Sequence, residues 1–481
     1  MTAPHRPYFV QALDALKAGS RRDAAELLGR ELREGDTSLR NLPSVARLAS
    51  EIGEVELAIE ASRRTIVPGQ PQTLLAHWAM LATHGRASQA LAEIEKQPSA
   101  IRNNPYVMHF LGTVASDAGR RSEAEALFRK TLKADPLSAR TWLSLALVKS
   151  FVPGDPDLAA MEALERRTGL PEEPHASLCY ALGKAREDCG DDEEAFRWYE
   201  KGAAIRRRAR PFDVGAFAKT AERTIEDFTP SSLSKLTPSM AHERPALFVT
   251  GLPRSGTTLT EQLLHNHSAV HAGAELNLFA AALTPAGRTL ERALAYQQNS
   301  QLDDPWGEVG RDYAALVSQH FQTNELVVDK SLGQSLLTPL MLQALPNARI
   351  AWLRRNPDDV ALSTFTTYFT TGFPWSWSLQ DIADTFRAED RLFAHWRDLF
   401  PDRILVVPYE DLAASPASWS ERLQEHFGLP VEKDLEQIAG NDREVRTASA
   451  AQVRQPITTD RVGRAARFEA QLKPFRDRYY G

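Results

Sequence analysis

Eight residues, Gly251-Leu-Pro-Arg-Ser-Gly-Thr-Thr258, bring together what a phosphate group needs from a backbone turn. The two glycines permit tight geometry. Arg254 supplies positive charge, and Thr257 and Thr258 supply hydroxyl donors. An apolar run, Ala246-Leu-Phe-Val-Thr250, comes before them, and Leu259, Leu263 and Leu264 mark one side of a helix after them. Strand, glycine-rich turn and helix together aim backbone N–H groups and a positive helix end at phosphate oxygens. A second basic segment, Arg355-Asn-Pro-Asp-Asp-Val-Ala-Leu-Ser363, follows about 100 residues later. Pro357, with Asp358 and Asp359 in the next turn, signals a helix start. Arg355 then precedes that helix and Ser363 lies two turns along it. Both reach one phosphate if the helix folds back across it.

The first loop has the Walker A spacing, except that Thr257 stands where the lysine belongs. A nucleotide kinase or triphosphatase would lose its β/γ-phosphate contact there, which weighs against that alternative. The run Pro253-Arg-Ser-Gly-Thr-Thr258 instead resembles the 5′-phosphosulfate loop of sulfotransferases. Arg355 and Ser363, eight residues apart, resemble the arginine and serine with which that family holds a 3′-phosphate. The resemblance implies 3′-phosphoadenosine 5′-phosphosulfate (PAPS) as donor, 3′-phosphoadenosine 5′-phosphate (PAP) as product, and no metal.

Sulfuryl transfer is expected to parallel phosphoryl transfer, an in-line displacement with charge on the outer oxygens. It needs a base for the acceptor hydroxyl and donors for the oxygens. Glu275, in Gly273-Ala-Glu-Leu-Asn277, lies 17 residues after Thr258, a gap that fits one helix and one short strand. Lys330 ends the strand 325–329. Ser449 lies in Thr447-Ala-Ser-Ala-Ala-Gln-Val-Arg-Gln-Pro456. These segments resemble the tyrosylprotein sulfotransferases and the bacterial repeat-containing sulfotransferases related to them. The resemblance assigns Glu275 as base, Lys330 and Ser449 as transition-state donors, and Tyr409 of Pro408-Tyr-Glu-Asp-Leu412 to the adenine. Arg464 is expected on the 3′-phosphate side.

Two positions depart from the family pattern. Asn277 stands where the animal enzymes carry an arginine that touches the acceptor. Ala465 replaces the tryptophan of Gly-Arg-Trp in the bacterial relatives. The acceptor class therefore stays open between a peptide tyrosine and a glycan or small-molecule hydroxyl, and a catalytically inactive repeat scaffold is a further alternative. His265, His267 and His271 suit no familiar metal-ligand spacing and read as loop and helix-end residues, with His271 second in line as the base. Phe373-Pro-Trp-Ser-Trp377 reads as an aromatic loop lining an acceptor cleft.

The elements that must position these residues fall into two halves. Strands are expected at 246–250, 325–329, 348–353 and 403–407, separated by helices, which argues for a parallel α/β sheet. Upstream, a glycine followed five residues later by alanine recurs at Gly19, Gly53, Gly85, Gly119, Gly154 and Gly190, with spacings of 34, 32, 34, 35 and 36. In the copy from Pro105 to Pro136, Ala124, Phe128 and Leu132 form one apolar stripe. This resembles the tetratricopeptide repeat. The expected fold is an N-terminal all-α tetratricopeptide-like solenoid (1–210), a junction (211–244), and a P-loop-like parallel α/β sulfotransferase domain (245–481). The solenoid is expected to bind a protein partner or mediate dimerisation. The basic run Arg206–Arg210 reads as a solvated helix end.

Composition sets the outer bounds. The chain has 481 residues, 43% hydrophobic and 25% charged, values of a globular protein of two to four domains. A net charge of −6 argues against nucleic acid as a partner. Two cysteines, Cys179 and Cys189, exclude a disulfide framework. No signal peptide and no membrane-length apolar run is evident, so a cytoplasmic location is expected.

Overall fold

The computed structural model describes residues 7–35, 41–167, 169–241, 245–275, 277–438 and 457–481. The six periodic glycines all adopt left-handed backbone angles, with φ from 76° to 85°. Each lies between two helices of a pair. The pairs are Tyr8–Lys17 with Arg21–Glu34, Leu42–Glu51 with Val55–Arg64, and Pro71–Thr83 with Ala87–Glu95. Then come Pro105–Asp117 with Arg121–Ala134, Ala139–Val148 with Pro156–Glu165, and Glu172–Asp188 with Asp192–Ala209. A φ that only glycine adopts cheaply fixes each hairpin turn. The stretch expected as a junction is itself helical at Val214–Asp227 and Pro230–Leu233.

Five strands follow: β1 (Leu247–Gly251), β2 (Val270–Ala272), β3 (Leu326–Asp329), β4 (Arg349–Arg354) and β5 (Ile404–Pro408). The four long strands begin and end within a residue or so of the expected positions. Their order in the sheet is β2-β3-β1-β4-β5. β1 and β2 both pair parallel to β3, with Leu247 opposite Val328 and Val270 opposite Leu326. The interior of β4, Ile350–Leu353, is buried throughout, as an apolar run in a parallel sheet should be.

Packing divides the chain by compactness rather than by fold type. One unit comprises 1–102, 224–248 and 269–350; the other comprises 103–223, 249–268 and 351–481. In the first, helices 8–64 share a core that includes Leu28, Val45 and Ile52. Arg22 ties these helices to helix Pro305–Phe321 by an Nε–H bond of 2.8 Å to Asp312. In the second, one core joins Tyr180, Phe196 and Tyr199 of the last helix pair to Val360 and Phe365 of helix Pro357–Phe365. Phe468 and Phe475 near the C-terminus complete it.

Candidate functional site

The glycine-rich loop lies between β1 and helix Thr257–His265. Gly256 precedes the helix with φ 109°, and a Cβ there would sit 2.4 Å from Cδ2 of Tyr409. Only glycine fits, because the backbone is left-handed and the tyrosine ring occupies the side-chain space. Arg254 takes a positive φ of 70°. The Ser255 hydroxyl donates to the Leu252 carbonyl at 2.7 Å, closing the turn. Thr257 and Thr258 begin the helix and are buried. The first N–H groups of such a helix have no intrahelical acceptor and suit an anion.

The second segment meets this loop. Asn356 caps helix 357–365 by accepting from the Asp358 and Asp359 N–H groups. Arg254 donates from Nε to Ser363 Oγ at 3.0 Å. Arg355 donates from Nη1 to the Arg254 carbonyl at 3.3 Å, and to the Arg461 carbonyl from Nη2. Its guanidinium stacks on Tyr409 at 4.4 Å. Asp359, itself buried, lies 3.6 Å from Arg355 and accepts N–H bonds from Gly463 (2.7 Å) and Ala465 (2.8 Å). Arg464 is ion-paired with Glu187.

Four guanidiniums, of Arg254, Arg355, Arg461 and Arg464, thus influence one another. Burial, then the charges of Arg461, Arg355 and Arg464, pushes Arg254 down to about 10. Burial, then Arg464, lowers Arg461 as well. Burial also opposes charge on Arg464, but Glu187 holds its pKa above the ordinary value. Arg355 Nε is buried and has no hydrogen-bond partner among the described residues. A buried donor left unmet costs roughly 1–3 kcal/mol. Crowded cations and an unmet donor fit a phosphate, which supplies both negative charge and acceptors.

In the other unit, Glu275 follows β2 and Lys330 follows β3. Lys330 Nζ donates to Glu275 Oε1 at 2.7 Å; the lysine side chain is fully buried and the glutamate 34% exposed. Gly273 makes the approach possible. Its N–H donates to the Val328 carbonyl at 2.9 Å, and a Cβ would sit 2.3 Å from that oxygen. The Lys330 N–H returns a bond to the Ala274 carbonyl at 3.2 Å. The Asn277 N–H donates to Ser331 Oγ at 2.8 Å.

The loop residues Pro253 to Thr258 are therefore grouped with Arg355, Ser363 and Tyr409, while Glu275 and Lys330 form a separate pair. Ser449 lies outside the described residues. Arg461 belongs to no motif; its signal in the sequence is a basic residue three positions before Arg464. His271 sits on β2, 3.4 Å from Glu325. His267 bonds the Pro430 carbonyl at 2.9 Å. Among the described residues no group of His, Cys, Asp or Glu is placed to hold a metal.

The loop 373–377 does not line an open cleft: Trp375 and Trp377 are 8% and 4% exposed and belong to the core. Arg206 is not solvated. It is buried, with its guanidinium 4.8 Å from the Trp377 ring and 5.3 Å from Tyr368. Stacking on aromatic faces compensates part of its desolvation.

Residues 245–433 match the model of the sulfotransferase family. An uncharacterised protein of Aquifex aeolicus (strain VF5) is 28% identical over 384 residues, 76% of this chain and 49% of that protein. A protein-tyrosine sulfotransferase of Drosophila melanogaster is 23% identical over 197 residues, 40% of each chain. The chain thus spans half or less of the length of these curated relatives. The sulfotransferase domain of the Synechococcus PCC 7002 olefin synthase aligns at 19% identity and a TM-score of 0.30, covering 48% of this chain and 98% of that one. Among the described residues no helix is long and apolar enough to cross a membrane.

Proposed function

We propose that this protein is a PAPS-dependent sulfotransferase acting on an acceptor hydroxyl, with a peptide tyrosine the leading acceptor class. The observation that carries the reading is the arginine cluster around Arg355, whose buried Nε lacks a partner among the described residues. In this reading Arg254, Arg355, Arg461 and Ser363 hold the 3′-phosphate. Pro253 and Ser255 shape the loop, and Gly256, Thr257 and Thr258 receive the 5′-phosphate at the helix start. Tyr409 flanks the adenine. The bound donor supplies a sulfuryl group whose S–O bond to the 5′-phosphate breaks as a bond to the acceptor oxygen forms.

Glu275 takes the acceptor's proton. Lys330, which holds Glu275 in place, and Ser449 donate to the oxygens that gain charge. The tyrosine assignment draws on the partial likeness to the Drosophila enzyme. The repeat helices, read as tetratricopeptide-like, favour a protein-sized acceptor, and the proposed location is cytoplasmic. The test is transfer from radiolabelled PAPS to tyrosine peptides, glycans and small phenols. Labelled product with stoichiometric PAP release is expected. No transfer to any acceptor, together with no PAP binding, would falsify the reading.

A further inference from the structure

We propose that Glu187, on the last pair of repeat helices, is a positioning residue of the nucleotide cradle: it holds Arg464 away from the bound phosphate and neutralises its charge. The inference rests on the proposed function above.

Glu187 is 277 residues from Arg464 in sequence, yet its Oε1 forms the ion pair with the arginine's Nη2. Its Oε2 accepts from the Tyr199 hydroxyl at 3.2 Å. Both carboxylate oxygens are therefore engaged and the residue is buried. Burial, then Glu187, raises Tyr199 well above the ordinary tyrosine value, so it remains a donor. Arg464 is fixed from a second direction, since its neighbours Gly463 and Ala465 both donate backbone N–H groups to Asp359. Arg467, one turn on, donates from Nε to Asp192 of the same helix pair at 3.0 Å. The backbone of Arg464 is clamped to the Ser363 helix while its side chain is drawn to the repeats. Four guanidiniums meet two carboxylates, Glu187 and Asp359. The repeat helices thereby set how much positive charge is left for the ligand.

Removing the carboxylate while keeping the backbone clamp releases Arg464 to join the cradle. In Glu187→Gln, PAP should bind about ten-fold tighter, the worth of one charge-assisted hydrogen bond. Its affinity should also fall more steeply with salt, because another exposed cation takes part. The unliganded protein should melt lower, since the guanidiniums lose a counter-charge. In the double variant Glu187→Gln with Arg464→Gln, the affinity gain should vanish. Tyr199→Phe, which removes only the hydroxyl orienting Glu187, should shift affinity and salt slope the same way by less, and it serves if Glu187→Gln does not fold. The measurement is calorimetric titration of the full chain with PAP at several salt concentrations. A lower melting point with unchanged affinity and salt slope would mean a merely structural ion pair and would overturn the inference alone. Failure of the wild type to bind PAP would overturn both this inference and the proposed function.

Discussion

Replacing Glu275 by glutamine separates chemistry from architecture. The carboxylate has two jobs in the proposed mechanism: it accepts the acceptor's proton and it pairs with the buried Lys330 ammonium at 2.7 Å. Glutamine keeps a carbonyl oxygen for Lys330 but cannot serve as a base. Removing a general base slows turnover by roughly 10²–10⁴-fold, about 3–5 kcal/mol of barrier. The hydrogen bond to lysine changes from ion–ion to ion–neutral. With the glutamate one-third exposed, that costs only about 1 kcal/mol. The catalytic loss should therefore exceed the structural one by more than ten-fold. The assay is single-turnover transfer from labelled PAPS, alongside PAP affinity on the same preparation. Turnover should fall at least about 100-fold with PAP affinity within about two-fold of wild type. Turnover close to wild type would move the base role elsewhere, and a parallel loss of PAP affinity would make Glu275 part of the nucleotide site instead.

Two other perturbations follow from the geometry. Gly256→Ala places a methyl group against Tyr409 at a left-handed φ, a strain of roughly 1–3 kcal/mol. Because Tyr409 also stacks on Arg355, PAP affinity should fall about ten-fold or more, and an unchanged calorimetric affinity would refute that coupling. His109 is held at about 4 by burial and then by Arg140, below its ordinary value of about 6.5. The unfolded chain takes up a proton that the folded chain refuses. The contribution of His109 to stability is thus full above about pH 6.5, falls by about 3 kcal/mol as pH drops to about 4, and changes no further below that. Urea midpoints across that window should fall in the wild type and fall less in His109→Phe; identical slopes would sink the assignment.

The strands were legible because each is a short apolar run bounded by breakers, and sheet burial demands such runs. The helix pairs were legible because a hairpin turn that needs φ near 80° demands glycine at a fixed period. The glycine-rich turn 251–258 was legible for a similar reason, as Gly256 shows. What escaped the sequence depends on distant packing. Arg206 reads as a solvated basic residue until Tyr368 and Trp377 close over it. Trp375 and Trp377 sit in an aromatic loop that suits a cleft wall as well as a core, and only the fold reveals that they share a core with Phe196 and Phe475. Arg461 carries no motif, and its place in the arginine cluster comes from Arg355 reaching its carbonyl. No local pattern could have joined Glu187 to Arg464.

The central claim is that the cradle around Arg355 is built for a nucleotide with a second phosphate. Calorimetric titration with PAP and with adenosine 5′-phosphate, which differ only in the 3′-phosphate, tests it most directly. Two or more charge-assisted bonds to that phosphate predict PAP binding at least about 100-fold tighter, with the preference lost in Arg355→Ala. Equal affinities for the two nucleotides, or a preference that survives Arg355→Ala, would contradict the account.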